Sequence, residues 1–335
     1  MTGLPRSGQA RSHVRALTSP ASRIWAALLL LLVGCAQQPA VGASQVRAVP
    51  LAAADDASLP RQISSLQLVG AYELLARDRD FGGISAVRRQ DDRLLLLSDR
   101  SHLFELGWPI HGAGQAFTMP LLRERELGTA AGRPLDAEAM ALGPGDGLLV
   151  ADEETGRLFA FLPGQSRPAR RPIDLPGPFM AHRPTNEGVE ALARLPDGSL
   201  VALSEGAWEP GGNHSLVRIG DDGVQLLQYQ CPAGFQPVDA DVAGDRLFVL
   251  ERRISLLRGW QSRIVAVPLS TLDEPDAMVI AGQELAVVSG ARLGENYEGL
   301  SVETMPEGGF RLLIVADDNF NEFQRTKLLE LAWQP

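Results

Sequence analysis

The sequence predicts an all-β fold, a β-propeller, on three observations. An acidic phrase followed by an apolar strand recurs along the chain about every fifty residues. Each repeat divides into short apolar segments separated by turn residues such as Asp-Gly and Pro-Asp-Gly, which are typical of hairpins. No segment shows a sustained apolar period of 3.6 residues, and the nearest helix candidate, at 121–127, is short. A repeat of about fifty residues that contains four antiparallel strands is typical of propeller blades.

The repeats align on one residue at the start of each first strand. These residues are Ser85, Glu138, Glu190, Asp241 and Glu298, separated by 53, 52, 51 and 57 residues. The alignment predicts five repeats and therefore five blades. Six blades are the alternative if the longer connections at 107–135 or 252–296 contain a degenerate blade, and another β-rich repeat array is a further alternative.

The two ends of the chain are predicted to meet in one blade. The last repeat has three clear strands, at 298–304, 311–316 and 327–333. A four-stranded blade needs one more strand, and the segment 65–75 has the apolar pattern of a strand. We therefore expect this N-terminal strand to close the last blade and join the ring.

The N-terminus is predicted to be a targeting segment. Basic residues precede an apolar stretch at 24–33, which is too short to span a bilayer comfortably. The phrase ending at Cys35 resembles a bacterial lipobox, in which the cysteine is acylated; an ordinary secretory signal is the alternative. The resemblance implies a signal peptide at 1–34, an acylated Cys35 with a flexible tether through residue 62, and a propeller domain at 63–335. Because Ala36 follows the cysteine, it also implies sorting to the outer membrane, facing the periplasm.

Charge excludes several partner classes. Without residues 1–34, which contain four arginines and no acid, 27 basic residues remain against 41 acidic residues. Nucleic acid and anionic lipid are therefore poor partners for the domain, and the predicted membrane contact is the lipid anchor only. Lys327 is the only lysine, which argues against Schiff-base chemistry. If Cys35 is acylated, Cys231 has no intramolecular disulfide partner.

Acidic residues recur at both strand positions that face one channel mouth. In a propeller the first strand of each blade lines the channel and the second runs back, so the start of one and the end of the other lie on the same face. The second strands are predicted to end at Asp99, Asp152, Glu205, Glu251 and Asp317. Together with the first-strand acids, these residues predict a ring of carboxylates around the mouth.

Carboxylates gathered in this way repel one another, and their repulsion raises their pKa values. A hard divalent cation such as Ca²⁺, which takes several oxygen ligands, would compensate. Arginines would also compensate, and Arg100, Arg183 and Arg252 are suitably placed in the sequence. A third alternative is that the acids only cap strand ends. The predicted metal ligands are Glu138, Asp152, Glu190, Glu205, Glu298, Asp317 and Asp318.

Three blocks of sequence resemble a known family. They are the Asn-Glu-Gly-Val-Glu-Ala-Leu block at 186–192, Glu-Gly-Leu-Ser at 298–301, and the apolar strand with Asp-Asp-Asn-Phe at 313–320. Together they resemble the phytase-like propeller family described as having esterase-like activity of phytase, over roughly residues 65–335. The resemblance implies a secreted or envelope propeller that acts on phosphate or carboxylate esters. A metal-activated water would attack the ester, and Arg100 or Arg183 would stabilise the developing negative charge.

Three functions follow from these features. The first is a divalent-metal-dependent esterase or phosphoesterase that acts on a small-molecule ester or phosphoester. The second is a non-catalytic propeller that binds a ligand, a peptide or an envelope protein through the same face. The third is a lactonase-like enzyme with one central Ca²⁺. The first and third predict bound divalent metal, whereas the second predicts a mouth filled by arginine–carboxylate pairs.

Overall fold

The computed structural model describes residues 44–52, 59–180, 188–207, 212–274 and 278–335. In chain order the strands are β1 (Gln45–Pro50), β2 (Gln62–Ile63), β3 (Leu66–Ala76), β4 (Ile84–Gln90), β5 (Arg93–Ser98), β6 (His102–Gly107), β7 (Phe117–Glu126), β8 (Ala137–Leu142), β9 (Leu148–Asp152), β10 (Arg157–Phe161), β11 (Ile173–Asp174), β12 (Val189–Arg194), β13 (Leu200–Ala207), β14 (His214–Gly220), β15 (Gly223–Tyr229), β16 (Gln236–Ala243), β17 (Arg246–Ser255), β18 (Gly259–Pro268), β19 (Val279–Ile280), β20 (Gln283–Val288), β21 (Tyr297–Thr304), β22 (Phe310–Ala316) and β23 (Lys327–Trp333). The helical segments are α1 (Gly177–Met180) and the 3-10 turns Pro144–Asp146 and Leu269–Asp273. No helix in these described ranges is long and apolar enough to cross a bilayer.

The strands form antiparallel sheets arranged around a channel. From the inside outwards the sheets run β4-β5-β6-β7, β8-β9-β10-β11, β12-β13-β14-β15, β16-β17-β18-β20 and β21-β22-β23-β3. The inner strands contact one another in the cyclic order β4, β8, β12, β16, β21 and back to β4. This closed ring of radial sheets confirms the predicted all-β propeller.

The chain ends join in one sheet, as the sequence predicted. Strand β3 pairs antiparallel with β23, from Glu73 opposite Lys327 to Gln67 opposite Ala332. The part of the chain from Ser44 to Pro335 forms one compact unit. Because this unit closes its own ring and contains its own cores, it can fold without the preceding residues.

The predicted tether is wrong for part of its length. Residues 45–50 form β1, which lies between the outer edges of β3 and β7 and pairs with both. Val46 and Ala48 alternate with exposed residues and are buried. The alternation is that of a half-buried strand, and β1 covers two sheet edges that would otherwise expose unpaired backbone groups.

The long connections contribute strands to the sheets. The connection at 107–135 contains β7, so the short helix candidate at 121–127 belongs largely to a strand. The connection at 252–296 contains the end of β17 and all of β18 and β20. It also contains β19, which pairs parallel with β15 of the preceding sheet. Both connections therefore extend or link neighbouring sheets.

The apolar core lies between facing sheets. Between the sheets of β17 and β22, Phe248 and Phe310 pack edge to face with ring centroids 5.1 Å apart. Phe310 in turn stacks on Trp333, with centroids 5.5 Å apart. Burial of such rings contributes strongly to the stability of these inter-sheet contacts.

A buried arginine spans the channel. Arg88 of β4 is 1% exposed and forms a bidentate ion pair with Asp239 of β16, at 2.8 and 2.9 Å. The same guanidinium donates to the carbonyl oxygens of Leu192 and Leu300, on β12 and β21. Four inner strands are thus tied together across the axis by the bonds of one guanidinium.

Candidate metal centre

Acidic side chains reach the channel mouth through a β-bulge that each inner strand has near its start. The bulged residues are Ser85, Glu138, Glu190, Val238 and Glu298. A bulge leaves one residue unpaired and re-aims its side chain. The alignment with Asp241 was therefore wrong: in the fourth repeat the register shifts between Pro237 and Asp239, so Val238 is the equivalent residue.

The same registers identify the residue of each second strand that comes next to the bulge at the mouth. The residues paired just before the bulges are Ser98, Asp152, Ser204, Glu251 and Ala316. The next residues along the chain are Asp99, Glu153, Glu205, Arg252 and Asp317. Successive side chains of a strand point to opposite faces. Glu153 and Arg252 therefore take the mouth positions predicted for Asp152 and Glu251.

Asp152 is fully buried and is held by protein donors. One of its carboxylate oxygens accepts the backbone N–H of Asp136 at 2.9 Å. The other accepts the backbone N–H of Thr155 at 3.2 Å and an N–H of Arg133 at 3.1 Å. These bonds fix the turn after β9 and use both oxygens of Asp152 within the protein.

Glu251 is also fully buried and has a comparable structural role. It accepts hydrogen bonds from the Tyr229 hydroxyl at 2.7 Å and from Arg263, whose Nη1 lies 2.7 and 2.8 Å from its two oxygens. A buried carboxylate with this many donors is satisfied within the protein. Glu251 therefore stabilises the β17–β18 region.

We call the group of mainly acidic residues at the mouth the carboxylate cup. Its residues are Asp99, Asp136, Glu138, Glu153, Glu190, Glu205, Arg252, Asn296, Glu298, Asp317 and Asp318. It has an acidic half, formed by Asp136, Glu138, Glu153 and Glu190, and an arginine half, formed by Glu205, Arg252, Asn296 and Glu298. The remaining aspartates form one edge.

The acidic half brings several carboxylates into ligand distance. One oxygen each of Asp136, Glu138 and Glu153 lies within 4.8 Å of the other two. Burial and the nearby Glu190 raise the pKa of Glu138 well above its usual value. The pKa of Glu190 is raised to about 8, mainly by burial and then by Glu205, while Arg252 opposes the shift. Among the described residues, no ion pair involves Glu138 or Glu190.

Glycines in the Glu-Gly phrases allow the close approach that builds this half. A Cβ on Gly188 would lie 2.3 Å from Cγ of Glu153. A Cβ on Gly299 would lie 2.9 Å from the backbone nitrogen of Val87 on the neighbouring inner strand. Only glycine fits where backbone and side chain approach this closely. The repeated phrase thus reflects packing as well as charge.

The arginine half is neutralised by one guanidinium. Arg252 lies 3.1 Å from Glu205 and also forms an ion pair with Glu298. Asn296 accepts a hydrogen bond from Arg252 at 3.0 Å and donates one to Glu298 at 2.8 Å. This half therefore has the arginine–carboxylate arrangement that the sequence suggested as an alternative to metal.

The aspartate edge lies where β22 leaves the sheet. Asp317 is buried, and burial together with Asp99 raises its pKa to about 7, although it accepts the backbone N–H of Asn319 at 2.6 Å. Asp318 accepts the N–H of Gly83 at 3.0 Å and the Thr326 hydroxyl at 2.9 Å. Asp318 is thus tied into the loop, whereas Asp317 faces the cup.

Arg100 lies at this edge. Its guanidinium carbon is 3.4 Å from the centroid of the Phe320 ring, a cation–π contact. Phe320 has a φ of 47°, a left-handed conformation that is costly for a bulky residue. The loop thus holds an exposed cation next to Asp99. Arg183 and Cys35, predicted as a catalytic arginine and a lipidation site, lie outside the described residues.

Several solved structures are similar to this chain. Glutaminyl cyclase from Myxococcus xanthus has a TM-score of 0.46 at 14% identity, covering 81% of this chain and 97% of that one. Virginiamycin B lyase from Staphylococcus aureus has a TM-score of 0.37 at 9% identity, covering 85% and 98%. Aldose sugar dehydrogenase from Streptomyces coelicolor has a TM-score of 0.40 at 11% identity, covering 82% and 99%. At these identities the likeness concerns the fold alone.

Sequence comparison gives the family. No curated protein matches the chain. The profile of the phytase-like family, described as esterase-like activity of phytase, matches residues 79–320. The match includes every residue of the carboxylate cup and most of the propeller. The chain therefore belongs to the phytase-like family.

Proposed function

We propose that this protein is a divalent-metal-dependent esterase or phosphoesterase of the bacterial envelope, anchored through Cys35. The observation that supports this most is the acidic half of the cup, where three carboxylate oxygens lie within 4.8 Å of one another. Membership of the phytase-like family, described as esterase-like activity of phytase, agrees with such an activity.

The acidic half fits a calcium ion. Its donors are all carboxylate oxygens, which hard cations prefer, and Ca²⁺ accepts six to eight of them in flexible geometry. Burial and neighbouring carboxylates raise the pKa values of Glu138 and Glu190, and a bound cation would favour their ionised forms. Asp136, Glu138, Glu153 and Glu190 would hold the ion. When bound, it would supply Lewis acidity that polarises the ester and activates water.

The protein's own groups would position the substrate. Arg100 is exposed at the edge of the cup and can bind an anionic substrate group, as can Arg183 if it reaches the same mouth. Arg252 is already paired with two carboxylates and instead separates the acidic half from the rest of the cup. The buried Arg88–Asp239 pair joins β4 and β16 across the axis, and we expect substrate and product to use the same mouth.

Activity under metal control tests the proposal. Residues 44–335 would be stripped with EDTA, and hydrolysis of nitrophenyl acetate and nitrophenyl phosphate would be measured with and without added Ca²⁺, Mg²⁺ or Mn²⁺. The proposal expects turnover that disappears in chelator and returns with the metal. Hydrolysis at the same rate with and without EDTA, or no hydrolysis of either ester, would contradict the proposal.

A second function is supported by the arginine half. Arg252 fills its side of the mouth with ion pairs, as expected for a non-catalytic propeller that binds a ligand or an envelope protein. This alternative predicts no stoichiometric metal and no hydrolysis. Metal content of the purified domain separates the two functions.

A further inference from the structure

Strands β17 and β18 extend beyond the sheet to which they belong. They remain paired as far as Ser255 opposite Gly259. Their neighbours stop earlier, with β16 ending opposite Arg252 and β20 opposite Ser262. The last three residue pairs therefore form a ribbon about 10 Å long beyond both neighbouring strands, at about 3.4 Å per residue. At its base Arg253 lies over the Phe235 ring and Gln261 is buried.

The end of this ribbon is apolar and exposed. Ile254, Leu256 and Leu257, which we call the apolar tip, are 67%, 107% and 96% exposed. Trp260 pairs with Ile254 across the ribbon and is half-buried. Single exposed leucines are common, but a continuous exposed apolar cluster marks an interaction site.

The ribbon projects from the cup end of the propeller. Arg252, which binds Glu205 and Glu298 in the cup, immediately precedes it on the same strand. Ser44 lies at this end too, because the nearby Val46 pairs with Ala76, the last residue of β3. The predicted lipid at Cys35 would be only nine residues away from Ser44, a reach of at most about 30 Å.

We propose that the apolar tip inserts into the interface of a lipid bilayer and holds the cup end towards the membrane. The sequence predicted membrane contact through the anchor only, and this contact is additional to it. Arg258 is exposed beside the tip and can bind lipid phosphates, while the amphipathic ring of Trp260 suits the level of the headgroups. Aliphatic side chains flanked by a cation and a tryptophan are the composition of interfacial membrane anchors. This inference goes beyond the proposed hydrolase activity and does not depend on it.

Vesicle binding tests the inference. The protein spanning residues 44–335, without lipid, would be sedimented with vesicles of phosphatidylethanolamine and phosphatidylglycerol. We expect measurable partitioning that falls at least about tenfold in Leu256→Ser/Leu257→Ser, because two exposed leucines lose their transfer free energy. Quenching of tryptophan fluorescence by brominated lipid should be lost in Trp260→Phe.

The matched control is Ile110→Ser/Leu162→Ser. Both residues are exposed, at 105% and 56%, and follow β6 and β10 at the opposite end of the propeller. This variant should bind vesicles like the parent protein. Equal loss in both variants, undiminished binding by the tip variant, or no partitioning by the parent protein would overturn the proposal. A tip that binds a protein but no vesicle would also overturn it.

Discussion

The two halves of the carboxylate cup have similar acids and different electrostatics. In the arginine half, Glu205 and Glu298 share the guanidinium of Arg252 in two ion pairs. In the acidic half, burial and the neighbouring carboxylates raise the pKa values of Glu138 and Glu190. The sequence suggested two ways to compensate the repulsion between the carboxylates, and one mouth contains both. Arginine compensates it on one side, and the other side is a candidate cation site.

The difference arises from two positions of the fourth repeat. At the residue that follows the bulge partner, the other second strands have an acid, whereas β17 has Arg252. The same repeat has Val238 at the bulge instead of an acid. The fourth repeat thus removes two acids and adds one cation, which neutralises its neighbours and leaves the opposite side of the ring acidic. This asymmetry would restrict the ion to one side and leave room for substrate.

The largest effect is expected from neutralising the acidic half. In Glu138→Gln/Glu190→Gln, Ca²⁺ affinity measured by isothermal titration calorimetry should fall at least about 100-fold, because two charged oxygen ligands are lost. The variant should remain folded, since removing mutual repulsion stabilises the metal-free cup. The matched control is Glu303→Gln on β21, which removes an acid that pairs with Arg89 outside the cup. Unchanged Ca²⁺ affinity in the double variant would contradict the assignment.

A smaller effect is expected from converting the arginine half into a second acidic half. Arg252→Met leaves Glu205 and Glu298 without their cation, and we expect a loss of about 2–3 kcal/mol in the free energy of unfolding. Because the variant creates another all-carboxylate site, added Ca²⁺ should recover more stability than in the parent protein. Urea unfolding with EDTA and with Ca²⁺ measures both quantities. A variant insensitive to Ca²⁺ would show that the two halves differ in more than charge.

The pH dependence should distinguish the metal-free from the metal-bound cup. The pKa values of Glu190 and Asp317 are raised to about 8 and about 7, so between these values and their unfolded pKa values the folded state binds more protons. In EDTA the free energy of unfolding should therefore fall as pH rises from about 5 to 8. With Ca²⁺ bound, the free energy of unfolding should instead rise with pH, because the ion binds the ionised carboxylates. Melting temperatures at several pH values measure this dependence. A metal-free protein that becomes more stable towards pH 8 would contradict the prediction.

The smallest effect is expected from Gly188→Ala. Its Cβ would lie 2.3 Å from Cγ of Glu153, so that side chain must move. We expect Ca²⁺ affinity to fall about tenfold, the size of effect seen when the support of a ligand is lost. Gly223→Ala, where a Cβ meets nothing within 4 Å although φ is 120°, controls for backbone strain. Equal loss of affinity in both variants would remove the specific role of Gly188.

The sequence predicted the fold well because the fold depends on repeated, local signals. The period, the turn residues and the apolar strands all recur, and the missing strand of the last repeat pointed to the closing strand β3. Strand β1 was missed because its alternation of Val46 and Ala48 is short and lies in a stretch rich in alanine.

The site was predicted only in part, because a strand's side-chain period is two residues. A shift of one residue exchanges the two faces of a strand. The sequence therefore predicted Asp152 and Glu251 at the mouth, where the structure has the adjacent Glu153 and Arg252. The doublet Asp152-Glu153 already indicated that one of the two acids would face the mouth. Nothing local distinguished Arg88 from other arginines, since its partner Asp239 is 151 residues away.

The location of a bound cation tests the central claim most directly. Crystals of residues 44–335 soaked in Mn²⁺ should give an anomalous difference peak among Asp136, Glu138, Glu153 and Glu190, with Arg252 still paired to Glu205 and Glu298. No peak in the cup, or a peak that displaces Arg252 from the arginine half, would contradict the account.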